Sequence, residues 1–495
     1  MNMLEKSIEE LLYFATCKLG LGKEDVPYYR NLLFAKYGLD SPFEGEIDKK
    51  MISSLSLPDY IFSSLCNSFI ERKMDEGESE REATYCFGLV SPLPSHVNSF
   101  CQNYIKSNES EKATSYLYDL SIKNNYIAKS KVDKNIVYQA DFKDGPSLDI
   151  SINLSKPEKN NKDIAKLVGA KQTGYPKCLL CKENIGFAGN NKHPARENIR
   201  YIDLKLGEED WFLQFSPYVY YSNHCIVFYS KHVFMEISPR IFRKLFEFVD
   251  IFPHYFIGSN SDLPIVGGSI LNHEHFQGGA HVMPIMKAKD RFVLEEGKVK
   301  VSILDFYDSV IKLVSTDKEA ILEKANKIEA SWRHYTNKDL EIIPYEGETK
   351  HSTVTPIVRK LSSLYEMYII LRNNRCNDVY PTGIFHAHPE YAHIKHEGIG
   401  LIEAAGYFIL PARLVRQSQE VEDVVSKNLS LEEAISLYPD LDIFSDMIEK
   451  MKKEHITSRE YIADVCRNIL RNVAVFKEDK KGQEAFIEFV KGALL

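Results

Sequence analysis

The chain has 495 residues, 44% of them hydrophobic and 27% charged, the balance of a soluble globular protein with room for two or three domains. Its 62 basic and 70 acidic side chains leave a formal net charge of −8; this argues against a nucleic-acid binder, and an anionic ligand would have to be met by locally placed cations. Nine cysteines, mostly scattered singly, point to a reducing compartment and not to a disulfide framework. No apolar run reaches the roughly 18 residues that a membrane span needs. Glu5, Glu9 and Glu10 interrupt the start, where a signal peptide would carry a basic end and an unbroken apolar core. A cytoplasmic protein is expected, with no membrane or nucleic-acid partner.

Residues 1 to about 115 read as helical, because Leu4, Ile8, Leu11, Leu12 and Ala15 recur at helical spacing. Tyr28 to Tyr37 and Pro58 to Lys73 read alike, and the charged run Lys73 to Glu82 reads as a solvated loop or helix end. Strand-like alternation follows at Ile136-Val137-Tyr138 and from Leu148 to Asn153, and then the loop Ser155-Lys156-Pro157. Cys178-Leu179-Leu180-Cys181 is a knuckle whose thiolates suit one tetrahedral zinc; a redox pair or two idle thiols fit the same spacing. His224 to His232 reads as a buried strand ending in an exposed histidine, and Pro239 to Pro253 as an amphipathic helix with Ile241, Leu245, Phe248 and Val249 on one side.

Asn260 opens the stretch that carries the chemistry, NSDLPIVGGSILNHEHFQGGAHVMP. Gly267-Gly268-Ser269 precede it and Gly278-Gly279 follow, so a strand end or loop is expected and no long helix. On a strand, His273, His275 and Gln277 share one face, at about 6.6 Å per step. On a helix, His273 and His275 would point apart. A histidine attacking phosphate needs an unprotonated ring nitrogen, a fixed tautomer and donors for the phosphoryl oxygens. A backbone carbonyl holding one ring N–H would leave the other nitrogen to attack; Gln277 would add an amide donor, and the glycines let backbone N–H groups approach an anion. A polar turn with two surface histidines is the plain alternative.

Further on, residues 300 to 345 read as helical, with Trp332 and Tyr335 in packing roles, and Tyr365 to Leu371 as a strand. His386-Ala387-His388 repeats the i, i+2 histidine spacing, with His351 upstream. The apolar run Gly398 to Pro411 closes a core, and residues 414 to 495 read as helical, with Ser430 as an N-cap.

The stretch His273-Glu274-His275-Phe276-Gln277 with its exit His281-Val282-Met283-Pro284 resembles the active strand of the histidine-triad superfamily. Gln277 in the third place resembles the galactose-1-phosphate uridylyltransferase branch, in which the usual motif is His-Pro-His-x-Gln. Glu274 stands where that motif has proline, a departure from the common class, and the chain resembles the second class, long bacterial chains of about this size. The resemblance runs from roughly Tyr118 to Arg413.

It implies an α+β fold of two histidine-triad-like antiparallel sheet halves, residues 118–299 and 300–413, with helical regions at 1–117 and 414–495. It implies transfer of UMP from UDP-glucose to galactose 1-phosphate, with His275 as nucleophile and Gln277 as phosphoryl donor. Asn260, Gly267, Gly268, Ser269 and Lys156 would meet substrate. His232 and His273 would join Cys178 and Cys181 as ligands of a structural zinc. A second metal would draw on His351, His386 and His388, and a homodimer is expected. A histidine-triad nucleotide hydrolase or phosphorylase, and a zinc-stabilised sugar-nucleotide-binding protein without turnover, are the rival readings.

Overall fold

The N-terminal helices follow from the spacing of their apolar residues: Leu4, Ile8, Leu11, Leu12 and Ala15 all lie on the buried face of Met3–Lys18. The charged run near residue 75 turns into a helix start, because Asp75 and Glu78 form a reciprocal capping box on Glu76–Val90. The computed structural model describes residues 3–155, 174–190 and 193–495, so Lys156 lies outside the described residues. The chain folds as two interleaved units: Met1–Lys134, Lys159–Val219 and Asn223–His232 form one; Asn135–Glu158, Tyr220–Ser222 and Val233–Leu495 form the other.

The first unit joins these helices to an antiparallel meander, Ile202–Leu206, Glu209–Phe215 and Cys225–Tyr229. Aromatic side chains fill it. Trp211 stacks on Tyr229 at 5.1 Å and Phe212 packs against Phe228 at 5.4 Å.

The second unit is built on strands in the order His275–Gly279, Phe256–Gly258, Ser352–Leu361, Leu364–Asn373, Val310–Ser315, Val299–Asp305 and Lys289–Glu296, every neighbouring pair antiparallel. The fold class is therefore α+β with a large antiparallel sheet, as expected. One local expectation needs correction. Residues 299–315 are a strand pair and not helix, and the helix begins only at Lys318. Val301, Ser302, Ile303 and Leu304 are all buried, so this strand is covered on both faces and its sequence carries no clean period of two. The apolar run after Gly398 ends in a strand, Tyr407–Pro411, that pairs parallel with Gly145–Asn153. Behind the large sheet lies Pro239–Ile251, which starts with proline in its first turn and buries Ile241, Phe242, Leu245, Phe248 and Val249. The C-terminal segment from Arg413 to Leu494 is helical, and the Ser430 cap forms with Glu433 as its reciprocal partner. No described helix is long and apolar enough to cross a membrane.

Candidate active site and metal centre

In the first unit the knuckle folds back on itself. The Cys181 amide donates to the Cys178 carbonyl, and the sulfurs stand 3.6 Å apart. His232, three residues past the end of the strand Cys225–Tyr229, brings its Nδ1 to 3.3 Å from the Cys181 sulfur. One donor atom from each of the three residues lies within 4.8 Å of the others. Two thiolates bound to one tetrahedral zinc would stand about 3.8 Å apart, and a thiolate and an imidazole nitrogen about 3.6 Å. The observed spacings are within a few tenths of these, so the donor set fits a zinc ion. The hydrogen-bonded Cys181 sulfur, and then burial, push the Cys178 thiol up; a bound divalent cation reverses that sign, since a coordinating thiol is deprotonated.

Asn184 secures the knuckle. Fully buried, it donates its amide to the carbonyls of Cys178 and Cys181 at 2.9 and 2.8 Å. An asparagine three residues past the second cysteine has no separate signature in the sequence, and its role appears only with the turn in place.

In the second unit His275 opens a five-residue strand, His275–Gly279. Its Nδ1 lies 2.8 Å from the backbone carbonyl of His273. A carbonyl can only accept, so Nδ1 carries the proton and Nε2 keeps its lone pair. Burial pushes the pKa of His275 down to about 4, which keeps the ring neutral at pH 7. Gln277 is half-buried on the same strand, where it pairs with Gly258. His273 is buried immediately before the strand.

The loop from Asn260 to Ser269 is folded tightly. A side chain on Gly267 would meet the carbonyls of Ser261 and Leu263 at 2.6 Å, and one on Gly268 would meet the Asn260 amide at 2.6 Å. Backbone blocks a side chain at Gly267, whereas at Gly268 the obstacle is the Asn260 side chain. Asp262 moors the loop by pairing with Arg333 at 3.2 Å and accepting from the Ile237 amide at 3.0 Å. Asn260 is buried, and its side-chain oxygen accepts from the Leu401 amide at 2.8 Å. Ser269 is exposed.

Two partnerships of this region escape sequence reasoning because they join distant residues. Arg240 makes a forked ion pair with Glu274, and the exit histidine His281 meets the Asp149 carboxylate at 2.8 Å, across 132 residues.

His351, His386 and His388 do not come together as a donor group among the described residues. His351 Nδ1 faces the Asn374 amide oxygen at 2.8 Å, His386 Nε2 accepts from the Ile399 amide at 3.1 Å, and His388 Nε2 donates to the Ile384 carbonyl at 3.0 Å. Each ring is turned to its own local partner.

Two family models match the chain, "Galactose-1-phosphate uridyl transferase, N-terminal domain" over residues 70–234 and the corresponding C-terminal domain over residues 247–436. Similar proteins called galactose-1-phosphate uridylyltransferase occur in Caldanaerobacter subterraneus subsp. tengcongensis, 40% identical over 98% of this chain and 97% of that protein, and in Clostridium acetobutylicum, 39% identical over 99% of each. A third, from Bacillus subtilis, is 38% identical over 99% of this chain and 98% of that protein.

Proposed function

The chain belongs to the galactose-1-phosphate uridylyltransferase family, and from that premise we propose that it is the nucleotidyltransferase that moves UMP from UDP-glucose to galactose 1-phosphate through a uridylyl group on His275. Nε2 of His275 attacks the α-phosphorus. The bond from that phosphorus to the bridging oxygen breaks, and glucose 1-phosphate leaves. A phosphate oxygen of galactose 1-phosphate then attacks the same phosphorus, returns the electron pair to Nε2 and departs as UDP-galactose.

The observation that carries this reading is the Nδ1–H to His273 carbonyl hydrogen bond at 2.8 Å. It fixes the attacking tautomer and stabilises the positive charge that grows on the ring as the N–P bond forms. Gln277 donates to a phosphoryl oxygen, and the backbone amides of Gly267, Gly268 and Ser269 approach the diphosphate where no Cβ intervenes. Gln277 replaces an imidazole that would help a water attack, which favours transfer to a sugar phosphate over hydrolysis. Asn260 is read as a substrate contact through its amide nitrogen, its oxygen already accepting from the Leu401 amide. Lys156 belongs to the same reading as a nucleotide contact.

Cys178, Cys181 and His232 would hold a zinc ion, with His273 supplying the fourth bond of a tetrahedron. Such a closed site is structural and supplies folding free energy, not a position for substrate. Residues 118–299 and 300–413 are read as two related halves, in a cytoplasmic homodimer; the free cysteines suit that compartment.

The deciding experiment is isotope exchange. One histidine serving both substrates in turn requires ping-pong kinetics, so labelled glucose 1-phosphate should enter UDP-glucose with no galactose 1-phosphate present. Enzyme that makes UDP-galactose yet shows no such exchange would exclude the covalent route.

A further inference from the structure

Glu274, the residue between the two histidines, is an acid in an unusual place. Its side chain is 3% exposed, beneath a strand that has to present a neutral imidazole to an anion. A buried carboxylate needs charge-assisted partners. Arg240, in the first turn of the helix Pro239–Ile251, supplies them: Nη1 reaches Oε1 at 2.9 Å and Oε2 at 3.0 Å, and Nη2 reaches Oε2 at 3.0 Å. The fork constrains both the position and the plane of the carboxylate, which a lysine point charge would not do.

This matters because of what the Glu274 backbone belongs to. The carbonyl of His273 and the amide of Glu274 are one peptide group and lie in one plane. The amide donates to the Val233 carbonyl at 2.9 Å, and on the other edge the carbonyl accepts from His275 Nδ1 at 2.8 Å. Whatever fixes Glu274 therefore fixes the acceptor that aims the His275 ring. The Val233 segment is itself tied to this stretch a second time, by the Met235 amide on the Leu271 carbonyl at 2.8 Å.

We infer that Arg240 is a positioning residue for the transfer. Through its fork on Glu274 it holds the His273–Glu274 peptide in the plane that directs Nε2 of His275 at the phosphorus. The pair does from the side chain what a rigid backbone residue would do at this place. The inference rests on His275 as the nucleophile.

The test compares Arg240→Lys and Glu274→Gln with wild type, using the exchange of labelled glucose 1-phosphate into UDP-glucose. Tilting a reacting group by a fraction of an ångström costs rate more than binding, so kcat for exchange should fall between about 10- and 100-fold. The KM for UDP-glucose should stay within about twofold, and zinc content and melting temperature should stay near wild type, as for loss of an interaction realised in the transition state. The double variant Arg240→Gln/Glu274→Gln leaves no unpaired buried charge; it should fold if a single variant does not, and it should show the same split. Unchanged kcat in these variants would overturn the inference. So would a loss of kcat that merely tracks a loss of zinc or of folded protein, since the pair would then be structural only. His275→Ala is the control: if it still exchanges, the nucleophile has been misassigned, whereas loss there with normal exchange in the Arg240 and Glu274 variants overturns the positioning role alone.

Discussion

The chain spells His-x-His twice, at His273–His275 and at His386–His388, and the two copies use their rings in opposite ways. His275 gives its Nδ1–H to a backbone carbonyl and keeps the Nε2 lone pair. His386 gives its Nε2 lone pair to the Ile399 amide. His388 gives Nε2–H to the Ile384 carbonyl, and its ring stacks on Tyr380 with centroids 3.9 Å apart. Spacing alone therefore does not make a nucleophile. What differs is which nitrogen the local backbone occupies, Nδ1 in His275 but Nε2 in both His386 and His388.

The contrast is open to direct attack. His275→Ala should lower exchange by about 10⁴-fold or more, the scale for losing a covalent nucleophile, while His386→Gln should retain exchange within about tenfold. Equal losses in the two variants would mean that the second run takes part in the chemistry.

Metal content separates the runs next. Wild-type protein should carry about one tightly held zinc per chain. Cys181→Ser and His273→Ala should lower zinc content and melting temperature together, because forming such a site is coupled to folding. His386→Gln and His388→Ala should leave zinc unchanged. Full zinc in a Cys178/Cys181 double variant would place the metal elsewhere.

Gln277 completes the first run and has no counterpart two residues after His388, where Glu390 stands. Gln277→Ala should cut turnover by about 10², as removal of a preorganised donor to a developing oxyanion does, and should change UDP-glucose binding less. Near-normal turnover would mean that the amide only packs.

What the sequence made legible is instructive here. The strand His275–Gly279 and the glycines around it could be read because each lies within a few residues of the next, where period and turn chemistry govern. The capped and amphipathic helices could be read for the same reason. The strand pair in residues 299–315 could not, because its first strand is buried on both faces and shows no clean period of two to set against a helical one. The partnerships of Arg240 with Glu274 and of Asp149 with His281 span 34 and 132 residues. No local pattern announces them. The same holds for the second histidine run, whose resemblance to a metal-binding motif is literal in letters. One nitrogen of each ring is claimed by a backbone group, the Ile399 amide for His386 and the Ile384 carbonyl for His388.

The smallest expected effect tests that last point. Burial, and then the Arg372 guanidinium, push His386 down to about 4, whereas in the unfolded chain it titrates near 6.5. Between these values the unfolded chain binds the extra proton, so stability rises with pH across the window. It is lost as pH falls from about 6.5 towards 4. His386→Gln can still offer an oxygen to the Ile399 amide but has no proton to take up. Urea midpoints for wild type and variant, each measured near pH 7.5 and again near pH 5, isolate this group, because every other titrating group is common to both. Wild type should lose more stability on acidification than the variant, by about 2 kcal/mol for shifts of this size. Parallel pH–stability curves would mean that the folded protein also protonates His386, which a ring accepting the Ile399 N–H at Nε2 could do only by breaking that bond.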